Sequence, residues 1–156
     1  ATTRGIPQLY YGSEIGMAGD KGKGDADIRQ DFPGGWKGDA QNAFSKSGRT
    51  AVQNQYFDFT SKLFSWRKNN PVVAFGKMKH YLPDNNVYVY FRYDDAQSVM
   101  VVINNSDETR TFSTKRFAEN MQNFTSGTEV MSGEKLTHLE SITINPKSSL
   151  IIELKK

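Results

Sequence analysis

Four aspartates, Asp20, Asp25, Asp27 and Asp31, crowd a glycine-rich polar stretch over residues 18–48, with Arg29 among them. Carboxylate oxygens at that density suit a hard cation such as calcium, but their spacing is not that of an EF-hand, and an ordinary solvated loop is the competing reading. The segment Gly16 to Gly24, with Lys21 and Lys23, superficially resembles a phosphate cradle. The spacing fails, because Gly24 follows Lys23 where that motif needs a hydroxyl. Cysteine is absent, which excludes thiol catalysis, disulfides, zinc thiolates and iron–sulfur clusters. The two histidines, His80 and His138, are too few for a histidine-built metal site. A polar stretch as long as 18–48 is expected to be either functional or disordered.

The elements that must position these residues fall into three zones. Ile6-Pro7-Gln8-Leu9-Tyr10-Tyr11 has the length and aromatic content of a buried strand, with Pro7 at its start or on an edge because proline cannot donate to a ladder. After the polar stretch, Val52, Tyr56, Phe59, Leu63 and Trp66 recur at intervals of four and three and predict a helix over 50–69. Thr50 suits its N-cap, Arg67 and Lys68 suit the negative end of its dipole, and Asn70-Pro71 ends it. Phe57 and Phe64 widen the stripe, so this face needs a large partner surface. From residue 72 onward the chain reads as short strands: 76–82, 87–93, 99–103, 109–113, 128–131, 141–144 and 149–154. Turn residues separate many of them, as at Pro83-Asp84-Asn85-Asn86 and Asn105-Ser106-Asp107. Frequent turns between short strands argue for an antiparallel sandwich.

Composition narrows the class. Apolar residues at 37% and aromatics at 12% are enough to bury a core, which argues against wholesale disorder. No apolar run reaches the roughly 18 residues of a membrane-spanning helix. The net charge of +3 is a mild excess with the basic residues scattered, so neither a membrane nor nucleic acid is an expected partner. No charged and then apolar leader pattern follows Ala1, so the sequence carries no visible address; extracytoplasmic and cytoplasmic locations are both open. One strand, one long loop and one aromatic-striped helix cannot close a core by themselves. They read as the last β/α unit of a barrel or open sheet, and the chain as the C-terminal piece of an enzyme. The expected fold is mainly β, with residues 1–71 as that unit and 72–156 as an antiparallel β-sandwich.

Several motifs in order carry a family resemblance. Gly5-Ile6-Pro7-Gln8-Leu9-Tyr10-Tyr11-Gly12-Ser13-Glu14-Ile15-Gly16-Met17 resembles the eighth barrel strand and following turn of the α-amylase superfamily, glycoside hydrolase family 13. Asp25-Ala26-Asp27-Ile28-Arg29-Gln30-Asp31-Phe32-Pro33-Gly34-Gly35-Trp36 is similar to the D-x-x-x-R and D-F-P-G-G-W blocks of its neopullulanase and cyclomaltodextrinase branch. Leu63-Phe64-Ser65-Trp66-Arg67-Lys68-Asn69-Asn70-Pro71 resembles the last barrel helix, and Val99-Met100-Val101-Val102-Ile103-Asn104-Asn105 the central strand of the family's C-terminal β-sandwich.

The resemblance implies a retaining hydrolase of α-1,4 glucosidic bonds, with α-1,6 bonds as the second candidate linkage, in starch-derived glucans, whose catalytic carboxylates precede residue 1. This chain alone is then expected to be inactive, with an upstream barrel domain of the same protein and an α-glucan oligosaccharide as its partners. It also implies that Asp25 and Arg29 hold the sugar on the non-reducing side of the cleaved bond. A carboxylate accepts from adjacent hydroxyls and a guanidinium donates in a fixed fork. Asp27 is a second candidate for the carboxylate. Trp36 either stacks on a sugar ring or plugs the loop against the barrel, whereas Trp66 and Glu14 read as structural. No cofactor is expected in this segment, calcium being the one weakly supported candidate. Two rival readings remain: a non-catalytic carbohydrate-binding β-sandwich with Tyr81, Tyr88, Tyr90 and Tyr93 as a platform, and, ranked below it, a nucleic-acid-binding β domain.

Overall fold

The computed structural model describes residues 1–156 and divides them into two units, Ala1–Ile6 with Ser65–Lys156, and Pro7–Phe64. The first is built from β-strands. The second is loop and helix. No helix is long and apolar enough to cross a membrane.

In the β unit, strands β1 (Lys77–His80), β2 (Val87–Tyr93), β3 (Ser98–Asn104), β4 (Arg110–Ser113), β5 (Ser126–Glu129), β6 (Lys135–Leu136), β7 (Ser141–Ile144) and β8 (Ser148–Lys155) form two antiparallel sheets. The larger has the order β1-β2-β3-β8-β5-β6, and the smaller pairs β4 with β7. Strand β3 is apolar along most of its length because it lies between β2 and β8, with Phe91 opposite Met100 and Met100 opposite Ile152. A two-residue turn, Asn85-Asn86, joins the strands on either side of it with both residues at positive φ. Asparagine tolerates that conformation, and such turns match the twist of a hairpin.

The core lies between the sheets. Val87, Val89, Phe91, Met100, Val102, Ile152 and Leu154 of the large sheet meet Ile142 and Ile144 of β7. A segment the sequence pattern did not reveal closes one side: a 3-10 turn, Thr114–Phe117, running into a short helix, Ala118–Met121, which buries Phe117 and Met121. The opposite face of the large sheet is also buried, through Tyr90, Arg92, Val99, Val101 and Ile151. Pro71–Phe75, a second helix that uses Pro71 at its first turn, packs Val72 and Val73 there against β2 and β3. The expected strand over 128–131 is displaced to Ser126–Glu129. Its last residues leave the ladder because the Glu129 carboxylate accepts from Ser132 N (2.5 Å) and Ser132 Oγ (2.7 Å), turning the chain.

The expected strand over 6–11, which runs from the last N-terminal residue of the β unit into the other unit, does not form. Residues 6–10 are irregular, with Ile6 97% exposed. Strand geometry requires a neighbour to receive its hydrogen bonds, and no strand pairs with this run. The helix does form, over Ala51–Lys68. Thr50 and Gln53 cap it reciprocally: Gln53 N donates to Thr50 Oγ1 (3.2 Å) and Thr50 N to Gln53 Oε1 (2.8 Å). No residue of this helix is fully buried, and its apolar stripe is half open, Val52, Tyr56 and Phe59 being 50–59% exposed. The indole of Trp66, at the end that belongs to the β unit, is half-buried and donates to Glu153 Oε1 (2.6 Å).

Candidate functional site

The polar stretch is ordered by its own hydrogen bonds rather than by a core. Asp20 Oδ1 accepts from Gly22 N (2.8 Å) and starts a 3-10 turn over Lys21–Lys23. Asp20 N donates to Asp27 Oδ2 (2.5 Å), closing the loop that carries Asp25, and Gln30 Nε2 donates to Asp27 O (2.9 Å). Tyr11 then ties the far side down, its hydroxyl donating to Gln30 O (2.9 Å). Desolvation, Tyr10 and Asp31 hold the Tyr11 phenol above its ordinary value, so it stays a neutral donor.

Asp25 and Arg29 come together on this loop. The Asp25 carboxylate pairs with Lys21 on one side and lies 3.4 Å from Arg29 Nη2 on the other, with the Asp25 and Arg29 side chains 51% and 63% exposed. Ion pairs in such exposure contribute at most about 1 kcal/mol, so their groups exchange partners readily. Asp27 differs. One of its oxygens is spent on the Asp20 amide, and the residue is only partly exposed. No three His, Cys, Asp or Glu side chains gather into a group that could hold a metal ion. The aspartates are used singly: Asp20 as a turn cap, Asp27 as a loop clasp, Asp25 as the centre of a cationic pair.

Trp36 sits in a second turn. Asp39 Oδ2 accepts from Gly34 N (2.7 Å) and Trp36 N (3.1 Å), and Ala43 N donates to Pro33 O (2.9 Å). Gly34 has φ of +102° and lies against Asn42, where a Cβ would clash, so only glycine fits. The packing in this turn is done by Phe32 against Phe44 (ring centroids 4.5 Å apart), while Trp36 remains 68% exposed.

Of the four tyrosines in the rival platform reading, two are taken up by packing within the β unit. Tyr90 is buried, and Tyr81 is packed edge-on against Phe91 and Phe117 with its hydroxyl donating to Asn120 Oδ1 (2.8 Å). Strand pleating puts Tyr90 on a face that is covered on this sheet, so the ring cannot stack on a ligand. His80 and His138 are exposed. A cavity of about 630 Å³ lies in this unit between β2 and β4, over Val87, Val89, Phe112 and Phe117. Sequence reasoning also passed over Arg92, which reads as an outward residue of an alternating strand and is 1% exposed.

Residues 78–153 match the family model of the cyclo-malto-dextrinase C-terminal domain. A cyclomaltodextrin glucanotransferase of Bacillus licheniformis is 36% identical over 110 residues, which are 70% of this chain and 13% of the relative. A cyclomaltodextrinase of Thermoanaerobacter pseudethanolicus is 32% identical over 104 residues, 67% of this chain and 15% of the relative. The chain thus spans only a small part of the length of these relatives. In fold, it is similar to an α-amylase of Geobacillus thermoleovorans whose crystal structure is complexed with acarbose, with a TM-score of 0.68 and 18% identity over 97% of this chain and 30% of that one.

Proposed function

We propose, on the premise that residues 78–153 match the family model of the cyclo-malto-dextrinase C-terminal domain, that this chain is the C-terminal part of a retaining α-glucan hydrolase. Its substrates are starch-derived glucans with α-1,4 and α-1,6 glucosidic bonds. Retaining hydrolysis needs two carboxyl groups flanking the bond, one as nucleophile and one as acid/base. Those groups lie upstream of residue 1, in a barrel whose last β/α unit is residues 1–71. In that setting the run at 6–11 gains strand neighbours, and the half-open stripe of the helix gains its cover. The β-sandwich serves as a structural domain.

Within this reading, the loop over 18–48 receives the glucan. The observation that carries the site is the exposed Asp25–Arg29 pair at 3.4 Å, held on a loop clasped by other residues. Asp25 accepts from adjacent sugar hydroxyls, and Arg29 donates. Asp27 holds the loop closed, and Trp36 offers an open ring face for stacking.

Titration of the chain with maltotriose, following backbone amides and anomeric protons by NMR, tests both halves. Shifts at Asp25, Arg29 and Trp36 without new reducing ends are expected. Shorter sugars in the tube would overturn the placement of the catalytic groups upstream, and an unmoved Asp25–Arg29 loop would overturn the site.

A further inference from the structure

Arg92 is a buried guanidinium with no counter-ion. Its Nη2 donates to Gly76 O (2.8 Å) and its Nη1 to Thr2 O (3.4 Å), and its Nε has no partner. A second guanidinium, Arg67, binds the same short segment, donating to Ala1 O and to Gly5 O (3.1 Å). Arg4 belongs to that segment and is exposed. None of the three is within ion-pairing distance of a carboxylate. The carboxylate on the same row of the sheet is Glu153, because Arg92 is opposite Val99 and Val99 opposite Glu153. Two strand spacings put it roughly 10 Å away, and it already accepts from Trp66.

Carbonyl dipoles alone are poor compensation for a charge taken out of water, and like charges alongside raise the cost. Burial and the charges of Arg67 and Arg4 all work against protonated Arg92. We propose that Arg4, Arg67 and Arg92 form a docking site for a carboxylate side chain from the barrel portion of the parent protein outside this chain. Arg4 and Arg67 supply the reachable donors, and Arg92 supplies buried positive charge behind them. The identity of the occupant rests on the reading that such a barrel precedes residue 1. The positive charge in want of a partner stands on the contacts of this chain alone.

Acetate serves as the probe of the carboxylate group. At constant ionic strength, replacing chloride by acetate should raise the melting midpoint of this chain by about 4 °C once acetate exceeds its dissociation constant about tenfold. Arg4→Gln, which removes a side chain without protein hydrogen bonds and should leave the fold intact, is expected to cut this rise by half or more, and Arg67→Gln to abolish it. In the intact parent the rise should be absent, because a protein carboxylate fills the site. Equal midpoints in acetate and chloride, or a rise that both variants retain, would overturn the site. An equal rise in chain and parent would overturn the protein occupant. Activity of the same parent preparation on maltodextrin is read separately, so an inactive parent with a filled site refutes the enzymatic reading and leaves the docking site standing.

Discussion

Asp25 and Asp27 are two residues apart and have different employment. Asp27 closes a loop through Asp20 N, whereas Asp25 holds only exposed ion pairs. Asp25→Asn should therefore weaken maltotriose binding about tenfold, equivalent to about 1.4 kcal/mol, with the loop amides otherwise unchanged. Asp27→Asn should instead disturb the amides of Asp20 and Gly22 before any sugar is added. Two-dimensional amide spectra of both variants separate these outcomes, and identical behaviour would refute the division of labour. Glu129 shows the same principle in the β unit. Burial pushes its carboxyl up, but donors from Ser132, Met131 and Ile151 outweigh that and hold it below its ordinary value of 4.5. The unfolded chain then takes up the proton first as pH falls. The stabilisation from Glu129 is present above about pH 4.5 and is lost as pH falls through the lower, folded value. Glu129→Gln should be less stable than the parent sequence at pH 7 and show a flatter decline below pH 4.5 in thermal melts.

At the scale of elements, local chemistry and tertiary cover decide different things. The helix Ala51–Lys68 starts where Thr50 and Gln53 satisfy each other's amides and stops before Pro71. With no residue of that helix fully buried, its ends depend heavily on such caps. Thr50→Ala should cost about 1 kcal/mol, visible as faster amide exchange through the first turn at residues 51–54. Unchanged exchange there would mean that Arg49, which donates to Ala43 O and Asn54 Oδ1, anchors the start instead. Strands β2, β3 and β8 are legible for a different reason. Each supplies alternating or continuous apolar residues to a sheet covered on both faces, so pattern and burial agree. The turn and helix over 114–121 lack that agreement. They are too short for a helical period, and they are helical because Phe117 and Met121 fill the end of the core.

For the molecule as a whole, the apolar surface is the outstanding quantity. Ile6, Val52, Tyr56, Phe59, Phe75 and Leu82 are all half or more exposed. Of these, Val52, Tyr56 and Phe59 share one helix at spacings of four and three, and an exposed apolar stripe promotes association. The chain by itself should self-associate with rising concentration in sedimentation velocity. Replacing Val52, Tyr56 and Phe59 together by serine should reduce this, and association unaffected by the triple variant would place the sticky surface elsewhere. The sequence by itself determined the helix, its cap and the strand-rich half, because these follow from short-range period and turn chemistry; the grouping of Asp25 with Arg29 came from the family resemblance of their motif. Tertiary structure decided what depends on neighbours. The run at 6–11 has strand character but no ladder partner in this chain, so it stays irregular. Arg92 is inside because its side of the sheet is covered by Val72, Val73 and Thr2, a fact no alternation pattern records. The choice between Asp25 and Asp27 as the freer carboxylate likewise turned on one amide from Asp20, which only the folded loop brings within reach.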